Sequence, residues 1–129
     1  MTAWLTKKDG LFSGDDFAFQ VSIEGIAPTN GIVEAWCTVK LSLVDADPGL
    51  LQKVITSTAT PGQGRILDDG TAGGTAICQF ELSAINTELL RPGWQYLWDV
   101  QVERADGTIG TPLRNGILIP GQGVTASTA

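Results

Sequence analysis

The stretch Leu90-Arg91-Pro92-Gly93-Trp94-Gln95-Tyr96-Leu97-Trp98-Asp99-Val100-Gln101-Val102-Glu103 decides the fold. From Trp94 onward, Trp94, Tyr96, Trp98, Val100 and Val102 alternate with Gln95, Leu97, Asp99, Gln101 and Glu103. Successive side chains of a strand point to opposite faces, so this two-residue period predicts a strand with one face on a core. Trp94 and Trp98 then share the core face with Tyr96. Ala105-Asp106-Gly107-Thr108 follows as a hairpin turn, and Asp-Gly favours a primed turn type. The returning strand, Ile109–Leu113 and Gly116–Ile119, is interrupted by Pro112 and Gly116, as suits an edge or a bulge.

The same period recurs upstream. Phe17, Phe19, Val21 and Ile23 alternate with polar or small residues in Asp16–Glu24. In Val33–Asp45 the inward set is Val33, Ala35, Cys37, Val39, Leu41 and Leu43, and Trp36 falls on the outward face. Lys53–Thr58 is a short β-branched strand, and Ala76–Leu82 places Ala76, Cys78, Phe80 and Leu82 on one side. The glycine-rich Thr60–Thr75 predicts a loop or weak edge hairpin, and Ser83–Leu90 holds one helical turn. About seven short strands separated by turn signals predict an all-β, antiparallel β-sandwich. Residues 1–14 are expected as an N-terminal arm, 15–120 as the sandwich domain and 121–129 as a flexible tail.

Leu90-x-Pro92-Gly93-x-x-Tyr96-x-Trp98-x-Val100 resembles the Leu-x-Pro-Gly-x-x-Tyr-x-Val-x-Val stretch of fibronectin type III and related immunoglobulin-like domains. The resemblance implies that Leu90 caps the core, Pro92-Gly93 turns the chain, and the Tyr96 hydroxyl bonds back to backbone at the corner. Trp98 replaces the usual aliphatic residue, so the core beneath it is rearranged.

Composition narrows the function. The 129 residues are 43% hydrophobic and only 17% charged, which argues against disorder. So little charge also predicts surface hidden against a partner, as in an oligomer or assembly subunit. The net charge is −6 and the pI near 4.3. The eight basic residues are scattered, which disfavours both a phosphate backbone and an anionic membrane. No apolar run approaches the roughly 20 residues of a spanning helix. The opening residues lack the order of a signal peptide, so synthesis and assembly are expected in the cytoplasm.

Catalytic chemistry finds little purchase. There is no histidine, which removes the Ser–His–Asp triad, the Cys–His pair and most catalytic zinc sites. The carboxylate pairs Asp15-Asp16, Asp45/Asp47 and Asp68-Asp69 lie at turns or strand ends, where aspartate caps backbone. Their spacing is not that of a calcium loop. Gly70-Thr-Ala-Gly-Gly-Thr75 lacks the lysine and helix of a phosphate loop. The chain is therefore expected to be non-enzymatic, with no metal and no cofactor. Cys37 and Cys78 fall in different strands and read either as a cross-sheet disulfide or as two buried thiols, cytoplasmic synthesis favouring thiols.

Four tryptophans remain to be placed. Trp36 and Trp4 are the candidates for exposed anchors, for a protein contact ahead of a sugar-stacking platform. The edge formed by Ile109, Leu113, Ile117 and Ile119 is the other candidate interface.

The C-terminal third carries a second likeness. Tyr96-x-Trp98-Asp99-Val100-Gln101, Ala105-Asp-Gly-Thr108, Thr111-x-Leu113-x-x-Gly116 and the closing Val124-Thr125 resemble small structural proteins of tailed bacteriophages. Gly14-Asp-Asp-Phe17 and Val39-Lys-Leu-Ser-Leu-x-Asp45 are similar to that group as well. The likeness implies a virion component, located in the virion after assembly in the host cytoplasm. A capsid decoration (cement) protein is preferred, contacting major capsid protein as a homo-oligomer. A tail, neck or baseplate adaptor follows, and a carbohydrate-binding or adhesin module is the alternative of another class.

Overall fold

The computed structural model describes residues 4–42 and 49–122. Expectations placed on Asp45, Asp47 and on Val124-Thr125 lie outside the described residues.

Among the described residues the strands are β1 (Trp4–Thr6), β2 (Phe12–Ser13), β3 (Phe17–Glu24), β4 (Ile32–Lys40), β5 (Leu51–Ile55), β6 (Gly64–Asp68) and β7 (Thr75–Leu82). A short helix α1 (Ala84–Glu88) precedes β8 (Tyr96–Arg104), β9 (Ile109–Ile119) and β10 (Gly121–Gln122). One sheet has the order β1-β9-β8-β4-β5, a second β3-β7-β6, and β2 pairs with β10. The chain is all-β, in an arrangement compatible with a sandwich.

Alternation explains which side of each strand is buried. Phe17, Val21 and Ile23 of β3 meet Ala76, Cys78, Phe80 and Leu82 of β7, in an antiparallel register without a break. Ala35, Cys37 and Val39 of β4 lie beside Val102, Val100 and Trp98 of β8. These inner faces share one apolar core. Phe19 stacks on Phe17 and Phe80 within its own sheet and meets Trp98 edge-on at 5.4 Å across the core. Burying each such large side chain contributes about 1.5–3 kcal/mol, so the aromatic bridge is a principal tie between the sheets.

Residues 4–14, within the expected N-terminal arm, pair with the far end of the chain. β1 runs parallel to β9, pairing Trp4 with Ile117, Leu5 with Leu118 and Thr6 with Ile119. Thr6 caps a 3-10 turn at Lys7–Asp9, Gly10 ends it, and Leu11 drops fully buried into the core. β2 then pairs with β10, which takes the first residues of the expected tail into the structure. A parallel pairing between the two ends of the chain leaves no local period to read.

Two further expectations change. Trp94 is outside β8 and exposed, because the turn at Leu90–Gln95 ends the period; the Arg91 guanidinium lies 4.7 Å above its ring. The hairpin at Ala105–Gly107 is not a primed turn. Asp106 keeps an ordinary φ, with Gly107 alone at φ 86, and Arg104 C=O accepts Gly107 N–H at 2.9 Å. The Asp106 carboxylate holds this form by accepting the Thr108 N–H and O–H at 2.9 and 2.6 Å. Of the two readings of the cysteines, the thiol one describes the structure: Cys37 and Cys78 are free and buried, on different sheets. Burial pushes the Cys78 thiol up to about 11 and raises that of Cys37, where Asp99 adds to the effect.

Candidate functional site

The outer face of the five-stranded sheet gathers most of the candidate residues, and register explains how. Trp4 pairs with Ile117, and Ile117 pairs with Leu97 on β8, so three apolar side chains form one row across three strands. Leu97 in turn faces Lys40 on β4. Trp4 is 56% exposed, whereas Ile117 and Leu97 are half-buried beside it. Ile119, one pleat along β9, lies beside Thr6 on the same side. Ile109 stands at the far end of β9 opposite Glu103 and is 59% exposed.

Trp36 occupies the outward phase of β4, between Val54 of β5 and Gln101 of β8. Its neighbours half-bury it, so it presents part of its ring with Val54 and not a free plate. The row and Trp36 are separate patches of one face.

Leu113 does not join them. Register shifts on either side of its pairing with Val100 turn it toward the core, against which it packs. The break that Pro112 and Gly116 announce is two successive bulges, with Asn115 in the left-handed region at φ 54. Where β9 departs from β8 a cleft of about 250 Å³ opens on the outer face. Thr38, Lys40 and Asp99 line one side, and Thr111, Arg114 and Asn115 the other. The face therefore combines aromatic and aliphatic anchors with a polar, mixed-charge notch, the residue mix favoured in protein contacts.

The corner residues are structural in their surroundings. Leu90 is fully buried, Pro92 and Gly93 form the exposed turn with Gly93 at φ 79, and Tyr96 is buried. The Tyr96 hydroxyl accepts the Arg91 backbone N–H at 2.8 Å. Gly93 N–H donates to Pro120 C=O at 2.8 Å, tying the corner to the end of β9.

Of the paired carboxylates, Asp16, Asp68 and Asp69 serve backbone. Asp16 accepts the Ala84 N–H at 2.7 Å. Asp68 accepts that of Gly70, and Asp69 accepts the Thr71 N–H and O–H. The Thr71 backbone and then side-chain bonds hold the Asp69 carboxyl below its usual range. Among the described residues no group of three or more Cys, Asp and Glu side chains is placed to hold a metal ion.

Residue type alone hides one buried group. Lys53 of β5 points inward, its ammonium donating to Gly62 C=O at 2.8 Å and Asn86 Oδ1 at 2.7 Å. Burial lowers its pKa, and Glu81 partly restores it. The only signal was the alternation of Leu51, Lys53 and Ile55 on one phase.

Comparison with family models, with curated proteins and with solved structures finds no match.

Proposed function

We propose that this chain is a non-enzymatic structural protein of a tailed-bacteriophage particle, a capsid decoration protein built on an immunoglobulin-like sandwich. The observation that carries the proposal is the exposed Trp4 in register with Ile117 and Leu97 on the outer face of the five-stranded sheet. Solvent-facing tryptophan backed by aliphatic neighbours is a costly surface for a chain that works alone, and a favoured anchor for one that docks. The strand orders β3-β7-β6 and β1-β9-β8-β4-β5 support the immunoglobulin-like topology, since β3 and β4, and β7 and β8, are consecutive along the chain yet sit in opposite sheets. The likeness of Tyr96–Gln101, the Asp106-Gly107 hairpin and Thr111–Gly116 to phage structural proteins supplies the particle. The net charge of −6 suits an outer surface away from packaged DNA.

Electron cryomicroscopy of particles from the virus that encodes the chain tests this. Density for the domain on the shell, with its five-stranded sheet against capsid subunits, is the expected result. Trp4→Ala combined with Ile117→Ser abolishes rebinding of the purified chain to stripped particles. Particles without the protein overturn the proposal. Glycan binding that disappears with Trp36→Ala would instead establish the carbohydrate-binding alternative.

A further inference from the structure

We propose that β3 is the edge through which two copies of the chain pair. The other sheet edges are either very short, as β1 with 3 residues and β2 and β10 with 2 each, or carry devices that block strand addition. On β5, Lys53 points inward and the Val54 N–H is capped by Gln63 Oε1 at 3.1 Å. On β6, the Ile66 N–H is spent on Thr56 C=O at 2.7 Å, and Gly64 bridges to Thr60. On β9, β1 covers Ile117–Ile119, while Pro112, the bulges and left-handed Asn115 distort the rest. β3 has none of these. It runs for eight residues without a register shift, proline, lysine or arginine, and among the described residues no strand pairs with its free side.

The hydrogen-bonding phase of that edge follows from its neighbours. Glu81 N–H donates to Gln63 C=O, on the β6 side of β7. Alternate strand residues send their N–H and C=O to opposite sides, so Ala76, Cys78, Phe80 and Leu82 send theirs toward β3. Their register partners Ile23, Val21, Phe19 and Phe17 are thereby satisfied. Ala18, Gln20, Ser22 and Glu24, all exposed, direct their backbone groups out of the sheet.

A second copy arranged antiparallel about a two-fold axis at Val21 meets that phase. Gln20 then forms mutual backbone hydrogen bonds with Ser22 of the other copy, and Ala18 with Glu24. Val21 lies beside Val21 and Phe19 beside Ile23, so both apolar faces stay on the core side and the sheets join continuously. The pairing centred at Gln20 keeps the faces too, but sets Asp16 opposite Glu24 and is disfavoured by like charge. An edge that matches its own copy in phase, face and charge is what an isologous contact requires. The pairing does not depend on the particle proposal, whose docking face lies on the five-stranded sheet.

Light scattering coupled to size exclusion of the full chain tests it. The wild type is expected at twice the 13.6 kDa chain mass. Gln20→Lys with Ser22→Lys, and separately Gln20→Glu with Ser22→Glu, are each expected at the single-chain mass, since position 20 faces position 22 across the axis. Both keep the wild-type circular dichroism spectrum, because these side chains are solvent-exposed. Mixing the two variants restores the doubled mass. Ser22→Pro, which removes an outward N–H that β7 does not use, also yields single chains. A wild type that stays at single-chain mass at its highest soluble concentration, variants that keep the doubled mass, or a mixture that fails to recombine would each overturn the pairing.

Discussion

Gly116 of β9 lies against the indole of Trp98 on β8, so close that a Cβ at position 116 would collide with Nε1. The same Nε1–H is buried and has no hydrogen-bond partner among the described residues. The bulge at Arg114–Asn115 lies between the pairings of Trp98 with Gly116 and of Val100 with Leu113, next to this donor. Trp98 thus fills the core at the expense of one unsatisfied group, which costs about 1–3 kcal/mol.

Gly116→Ala is therefore expected to destabilise the protein by about 1–3 kcal/mol, as overpacking does. Trp98→Phe removes the orphan donor and some packing together, and should lie within about 1 kcal/mol of the wild type. In that background Gly116→Ala costs less than it does alone. Urea denaturation of the four chains reads the coupling directly. Strict additivity would mean the two residues do not share this space.

The Tyr96 hydroxyl offers a cleaner test of the corner. Tyr96→Phe keeps the ring in the core and leaves the Arg91 N–H without its acceptor. A loss of about 1–2 kcal/mol is expected, with faster hydrogen exchange at the Arg91 amide. Unchanged exchange there would show that the hydroxyl does not hold the turn.

Much of this core was legible in the sequence, and the failures have physical causes. Phe17 to Ile23, Ala76 to Leu82 and Tyr96 to Val102 alternate because each strand has one wet and one dry side, which a local period records. Trp94 broke the rule because the period stops where the corner turn starts. Leu113 broke it because a bulge shifts which residue faces inward, and a bulge follows from the partner strand. The parallel pairing of Trp4–Thr6 with Ile117–Ile119 joins segments at opposite ends of the chain, so the row across Trp4, Ile117 and Leu97 could only be seen once register was known. Of the candidate face, residue types could nominate Trp4, Ile117 and Trp36, but not place them on one side of one sheet.

Lys53 makes stability depend on alkaline pH. Burial lowers its folded pKa below the ordinary lysine value of 10.5, so on raising pH the folded chain releases this proton before the unfolded chain does. Between those two values the unfolded state binds more protons, and this group's contribution to stability rises with pH. Lys53→Met abolishes that rise in urea titrations taken from neutral pH to about 10.5. A slope that survives the substitution would assign it to another group.

The two thiols should be silent until the fold opens. Cys37 and Cys78 are buried, and burial keeps both protonated at neutral pH, where a thiolate is needed for reaction. A thiol-specific reagent is expected to leave the native protein unlabelled and to modify both residues in denaturant. Rapid native labelling of either would contradict the packing described.

Acid acts through the turns. The Thr108 side chain and backbone hold the Asp106 carboxyl below its usual range, and Thr71 does the same for Asp69. A depressed folded pKa stabilises above the unfolded value of 3.8, and that contribution is lost as pH falls through the folded value. Asp106→Ala is accordingly expected to lower the melting temperature at neutral pH and to lower it less in strong acid, where the wild-type carboxyl is itself protonated. Because both carboxylates are exposed, salt screening and water limit the size of the effect, and its sign is what decides. A difference between variant and wild type that grows on acidification would place the pH dependence outside the hairpin.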